Sequence, residues 1–366
     1  MTRHLYVHIP FCAKICPYCS FYKSEASRGG FAEFVEAVLV EARLRAEHIR
    51  PTTVFFGGGT PTALNKRQLE RLISGLREVM DFSGVSEFTV EMNPATISPG
   101  KAEKLLALGV NRASIGVQSW DEDILRTLGR AHTPRMAEET VHTLRSAGFE
   151  NINIDLMFGV PGQSPGSWHR SLRETLRLSP RHISAYSLTF EEDTEFFLRL
   201  ARGEFQHDPH VDADLFGSTI ETLEAAGFVH YETSNYCLPG RACAHNAAIW
   251  EGADYVGLGP SAVSTVRGIR RMNLPDTDSY CAALSGALLP PASEEYLHAD
   301  DLLLERIALG LRTREGISRE FINPRTFSAL EKEGLIENHG SRLRLSRKGR
   351  PLADEIAVEI IGTRNP

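Results

Sequence analysis

The sequence predicts an α/β protein, a partial (β/α)6 barrel followed by a small C-terminal domain of helices and one hairpin. Short β-branched runs alternate with amphipathic helical stretches at a spacing of roughly thirty residues, the pattern of repeated βα units around a parallel sheet. The chain has 366 residues, too many for one small core and enough for a barrel with an appended domain. Its composition shifts after Pro290 and Pro291.

The strand segments are Leu5 to Ile9, Thr53 to Phe56, Glu87 to Glu91, Arg112 to Val117, Asn151 to Leu156 and His182 to Leu188. Between them, Phe31 to His48, Lys66 to Met80 and Ala137 to Ala147 carry helical periodicity, and Gly148 is placed to cap the last of these. Beyond residue 300, Asp301 to Leu311 and Pro324 to Glu333 read as helices, and Leu335 to Leu345 as a hairpin turning near Asn338 to Ser341. Two helices and a hairpin in that order fit a winged-helix-like domain. Its basic group, Arg342, Arg344, Arg347, Lys348 and Arg350, reads as a solvated or domain-contacting face rather than a phosphate-binding one.

With 42% hydrophobic residues and a formal net charge of -7, the chain reads as soluble and mildly acidic, which disfavours nucleic acid as a partner. The opening MTRHLYVHIPF lacks the apolar stretch of a signal peptide, and no apolar run reaches the length of a membrane span. A cytoplasmic location is expected, where six cysteines stay reduced. Cys237, Cys243 and Cys281 have no ligand spacing and read as small buried thiols.

Cys12, Cys16 and Cys19, in HIPFCAKICPYCSFY, are different. Three thiolates are one short of the four that a cuboidal 4Fe-4S cluster takes, so one iron stays open to chelate a small molecule. S-adenosylmethionine suits that place through its amino and carboxylate groups. The alternatives are a zinc site, for which His8 is the only nearby imidazole, or free thiols. In a (β/α) barrel, chemistry gathers where the strands end. Here FFGGGTP follows the second strand, Glu91 the third, Gln118 the fourth and Asp155 the fifth. Carboxylates accept hydrogen bonds from hydroxyl and amino groups, and an arginine such as Arg130 pairs with a carboxylate. Glycines let a backbone approach a ligand, although such a run also makes an ordinary tight turn.

The cysteine motif following a short strand resembles that of radical SAM proteins, and CxxxCxYC after His-Ile-Pro-Phe resembles the coproporphyrinogen oxidase and heme chaperone branch, the HemN and HemW families. The resemblance covers nearly the whole chain. It implies a radical SAM core barrel over 1-230, a connecting segment over 231-290 and a HemN C-terminal winged-helix-like domain over 291-366. It also implies that a reduced cluster injects an electron into the sulfonium, releasing methionine and a 5'-deoxyadenosyl radical. Tyr6, Gly58, Gly59, Thr60, Glu91, Gln118, Arg130 and Asp155 fall at positions assigned to one or two S-adenosylmethionine molecules, and Tyr18 lies between two cluster ligands.

Within the branch, the oxidase pattern has a further cysteine two residues after the last ligand, where this chain has Phe21, and a long N-terminal extension before its barrel. The heme chaperone pattern has neither, and adds a His-Asn-x-x-Tyr-Trp signature associated with heme. Here that signature is His245, Asn246 and Trp250 with Ile249 in place of tyrosine. The resemblance therefore implies a heme chaperone that delivers heme to an acceptor protein, without coproporphyrinogen oxidase activity. The alternative is an oxidase-like enzyme acting on a porphyrin. Peripheral membrane association and a homodimer are compatible with the chaperone reading.

Overall fold

The computed structural model describes residues 1–26 and 30–363. Six parallel strands, β1 (Thr2–Ile9), β2 (Ile49–Gly58), β3 (Glu87–Met92), β4 (Arg112–Gln118), β5 (Asn151–Phe158) and β6 (His182–Ser187), follow one another in space in chain order. All six strands expected from the sequence are present. The intervening helices include α1 (Phe31–Arg45), α2 (Lys66–Val79), α3 (Pro99–Ala107), α4 (Glu122–Thr127), α5 (Pro134–Ala147) and α6 (Pro165–Arg177). Local chemistry fixes their ends. Asn65 and Gln68 form a reciprocal capping box at the start of α2, and Thr133 caps α5 ahead of Pro134. Gly148 ends α5 in the left-handed conformation, with φ +107°.

Strand alternation decides what faces the barrel interior. On β4, Ala113, Ile115 and Val117 are fully buried against the helix layer, so Arg112, Ser114, Gly116 and Gln118 point inward. On β1, Leu5, Val7 and Ile9 join the same apolar layer, which leaves His4, Tyr6 and His8 inside. The helix-facing layer is continuous and apolar, whereas the inward face is largely polar.

The sheet continues beyond the six expected strands on both sides. At one edge, β7 (Val229–Glu232) and β8 (Asn235–Cys237) form a hairpin whose second strand pairs antiparallel with β6. At the other, β9 (Tyr255–Leu258) adds parallel to β1 and is followed by β10 (Val263–Val266), β11 (Ile269–Asn273) and β12 (Ala292–Tyr296), all antiparallel. These strands run three to five residues, too short for hydrophobic periodicity to announce them, and β11 and β12 also carry adjacent charges. The carboxylate of Glu41 in α1, with 0% exposure, fastens this extension. It accepts from Tyr280 Oη at 2.6 Å, the Gly259 N–H at 2.9 Å and Asn273 Nδ2 at 2.9 Å.

Three further helices sit around the barrel, α7 (Glu195–Ala201), α8 (Pro209–Ala225) and α9 (Ala244–Trp250), and α10 (Thr277–Ser285) packs on α1. The C-terminal unit has its own core of Ile307, Leu311, Phe327, Leu330, Leu343 and Ile356. It is built from α11 (Ala299–Leu311), the short strand β13 (Ile317–Ser318), α12 (Pro324–Lys332), the hairpin of β14 (Ile336–His339) and β15 (Arg342–Leu345), and α13 (Ala353–Gly362). Its basic group is engaged within the chain. Arg347 meets Glu224 of α8 at 2.6 Å, Arg350 meets His230 of β7 at 2.7 Å and Arg344 meets Glu337 at 3.0 Å.

Candidate cofactor site

The turn after β2 is pressed against the segment that carries the first cysteine. The Gly59 N–H donates to the Ile9 carbonyl at 2.9 Å and the Thr60 N–H to the Phe11 carbonyl at 2.8 Å. A Cβ on Gly59 would lie 2.5 Å from the Pro10 carbonyl oxygen, and one on Gly58, where φ is +104°, would lie 2.6 Å from the His8 ring. Glycine is required at both places because β1 and the cysteine segment pack directly on the turn. Thr60 Oγ1 stands 3.8 Å from Cys12 Sγ.

Cys12, Cys16 and Cys19, each half-buried, line one wall of a cavity of about 1000 Å³ at this end of the barrel. Burial pushes the Cys12 and Cys19 thiols above their ordinary range. Three thiols on one wall suit a cuboidal cluster, which takes one thiolate on each of three irons. Cys237, Cys243 and Cys281 are buried and unpaired, as their spacing implied.

Tyr18, Gly58, Gly59, Thr60, Glu91, Gln118, Arg130 and Asp155 line the same cavity. Glu91 accepts the Gly58 N–H at 3.2 Å, and burial, reinforced by the nearby Asp155 carboxylate, pushes its pKa up to about 8. Burial raises Asp155 as well, against hydrogen bonds from Ser114 Oγ at 3.2 Å and Asn153 Nδ2 at 2.7 Å. Two carboxyls held back from ionising in one pocket favour a cationic ligand, which recovers their charge. Gln118 ends β4 at φ +67°, a conformation that costs a non-glycine residue about 1 kcal/mol or more. Its Oε1 and the Nε of Arg130 are buried without a partner. Arg130 donates to the Gly116 carbonyl at 2.5 Å and reaches Cys16 Sγ at 3.8 Å. The strained, unsatisfied end of β4 thus faces the same space as the thiols.

Three of the expected site residues stand outside this lining. Tyr6 lies behind the glycine turn, with its hydroxyl 3.1 Å from His8 Nδ1. His8 Nε2 donates to the Tyr22 carbonyl at 2.9 Å, which ties β1 to the cysteine segment. His245 lies in the opposite half of the barrel on α9 and is only 2% exposed. Its Nδ1 is 2.8 Å from Thr53 Oγ1, its ring lies 5.3 Å from Phe55, and its Nε2 has no partner. Burial first, and then His4, lower its pKa to about 3 and keep the imidazole neutral. Trp250, half-buried, closes α9 away from the cavity. Glu87 holds the start of this helix in the barrel by accepting the Ala244 and His245 N–H groups, each at 2.9 Å. The cavity also takes in Arg112, Asn153, Tyr186 and Asn246. Of these, Arg112 was discoverable from alternation along Arg112–Gln118, which puts it on the same face as Gln118.

Comparison with known proteins agrees with this geometry. The family model described as the radical SAM superfamily matches residues 6–175, and that of the HemN C-terminal domain matches 297–352. The fold is similar to that of the coproporphyrinogen III oxidase HemN from Escherichia coli, with a TM-score of 0.85, 24% identity, and coverage of 99% of this chain and 90% of that one. Fold and site define a radical SAM barrel protein with a HemN C-terminal domain. In sequence the chain is 33% identical to the heme chaperone HemW of Lactococcus lactis, covering 96% of this chain and 95% of that protein. It is 34% identical to the HemW of Mycobacterium tuberculosis, covering 98% and 94%. The chain belongs to the HemW family. Membership in the radical SAM superfamily implies a 4Fe-4S cluster and S-adenosylmethionine, and the residues fit both. Three thiols and the glycine turn face one cavity, and the orphaned polar atoms of Gln118 and Arg130 line it too. Among the described residues no helix is long and apolar enough to cross a membrane.

Proposed function

We propose that this chain binds heme and passes it to an acceptor protein, holding a 4Fe-4S cluster on Cys12, Cys16 and Cys19 and S-adenosylmethionine on the glycine turn. When bound, the cluster and S-adenosylmethionine supply one-electron reduction of a sulfonium. The chain's own groups bind and orient. Backbone at Gly58 and Gly59 admits the amino acid end of the ligand, Arg130 pairs with its carboxylate, and Glu91 and Asp155 meet its cationic and hydroxyl groups. The observation that carries the chaperone reading over the oxidase one is Phe21, which is 67% exposed on the cavity rim at the position of the oxidase family's additional cysteine. A phenyl ring there offers an apolar surface to a macrocycle and no thiol. Axial ligation by His245 requires α9 to shift, because its free Nε2 is enclosed.

The test is anaerobic reconstitution with iron and sulfide, then heme titration followed by transfer to an apo-hemoprotein, with a parallel coproporphyrinogen III assay. Stoichiometric heme uptake, release to the acceptor and no decarboxylated product are expected. Accumulation of protoporphyrinogen IX over many turnovers would replace the chaperone reading with the oxidase one.

A further inference from the structure

The floor of the cavity holds a cation without an ion-pair partner among the described residues. Arg112, at the start of β4, is 2% exposed yet lines the cavity. Its Nε is buried without a partner, and among the described residues no carboxylate forms an ion pair with its guanidinium. The acids whose charge reaches it are already engaged. Glu87 is taken up by the start of α9, and Asp155 by Ser114 and Asn153. Their charge offsets the cost of burying the guanidinium, but none of them bonds it, so its buried Nε lacks a partner that a carboxylate ligand would supply. The cavity it lines also presents the hydrogen-bonding side chains of Ser114, Asn153, Asn235 and Asn246. Two more inward polar atoms nearby lack partners, Thr89 Oγ1, on the residue paired with Arg112 across the sheet, and His245 Nε2. The His-Asn pair of the sequence motif thus reaches this floor through Asn246.

We propose that Arg112 and Asn246 form a carboxylate-binding subsite at the floor of the barrel, which takes a propionate of the tetrapyrrole cargo. The assignment to a propionate rests on the heme-binding reading above. A planar guanidinium fork matches a carboxylate, which it grips through two parallel hydrogen bonds, and the Asn246 amide lines the same cavity. The other carboxylate at hand, that of S-adenosylmethionine, is served by Arg130 beside the thiols. Arg130 is fixed at Gly116, four residues or about 13 Å along β4 from Arg112. A cavity of about 1000 Å³ is at the upper end of the range for small-ligand sites, with room for a group at each end.

The experiment titrates the reconstituted full chain with heme and with heme dimethyl ester, which lacks free carboxylates, and separately with S-adenosylmethionine. The parent, Arg112→Gln and Asn246→Ala are compared. The parent should prefer the free acid by about tenfold, the strength of a charge-assisted pair. Arg112→Gln should reduce that preference to about twofold or less, and Asn246→Ala should reduce it partly, with S-adenosylmethionine affinity unchanged in both. Should Arg112→Gln fail to fold, Asn246→Ala decides, since its side chain borders the cavity. Equal binding of acid and ester by the parent overturns the subsite while leaving heme binding intact. Loss of S-adenosylmethionine binding in the variants, with the acid preference retained, overturns the propionate assignment in favour of the methionine carboxylate. Failure of the parent to bind either tetrapyrrole defeats the chaperone reading and the propionate assignment together.

Discussion

Gly59→Ala tests whether the glycine turn and the cysteine segment are one mechanical unit. The added Cβ would lie 2.5 Å from the Pro10 carbonyl oxygen and 2.9 Å from that of Phe11. Ordinary contact begins near 3.4 Å, so the turn must move by 3.4 − 2.5 = 0.9 Å. The backbone hydrogen bonds of Gly59 to Ile9 and Thr60 to Phe11, at 2.9 and 2.8 Å, do not survive that displacement. Two lost bonds cost about 1 kcal/mol each, and residual overpacking adds about 1–3 kcal/mol, for a sum of about 3–5 kcal/mol. Urea denaturation should report that loss, and iron content after anaerobic reconstitution should fall because Cys12 directly follows the displaced Phe11. Gly166→Ala is the control. It lies in α6, where the nearest atom to an added Cβ is 3.8 Å away, and it should be neutral or slightly stabilising. A Gly59→Ala protein within about 0.5 kcal/mol of the parent, with full iron content, would refute the reasoning.

Cys16→Ser, purified without oxygen, should lose the visible absorption of the cluster, and retention of four irons with an unchanged spectrum would count against ligation by that thiol. Glu41→Ala should cost about 3–5 kcal/mol by stranding the buried donors of Tyr280, Gly259 and Asn273, read as a drop in unfolding free energy. Glu91 has a folded pKa of about 8, above its unfolded value of 4.5, so its contribution to stability is complete below about pH 4.5 and is lost as pH rises through about 8. Glu91→Gln should remove that decline, and parallel pH–stability profiles for parent and variant would contradict it. His245→Ala should shift the Soret band and weaken heme binding more than His339→Ala does. Equal spectra and affinities would move the axial ligand elsewhere.

Much of this was legible in the chain. The six strands announced themselves because each puts apolar residues on the helix-facing side at regular spacing, as Ala113, Ile115 and Val117 do on β4. The cluster motif was legible because its three cysteines are local in sequence, and the glycine turn because it directly follows a recognisable strand. The strands of residues 229–296 were hidden. Each is only three to five residues long, and in β11 and β12 Arg270 and Arg271 pair by charge with Glu295 and Glu294, so no hydrophobic period marks them.

By itself, the sequence determined the order of βα units, the three thiols and the polar set at the strand ends, since each depends on residues close together in the chain. Tertiary structure decided where His245 and Arg112 sit. A helix some 130 residues further along than Arg112 inserts its first turn into the barrel and is held there by Glu87. This encloses the imidazole of His245 and brings Asn246 to the cavity that Arg112 lines. Such long-range closure depends on how the barrel fills its own interior, where inward side chains from separate strands and α9 share one enclosed space. No local pattern of residue types carries that information.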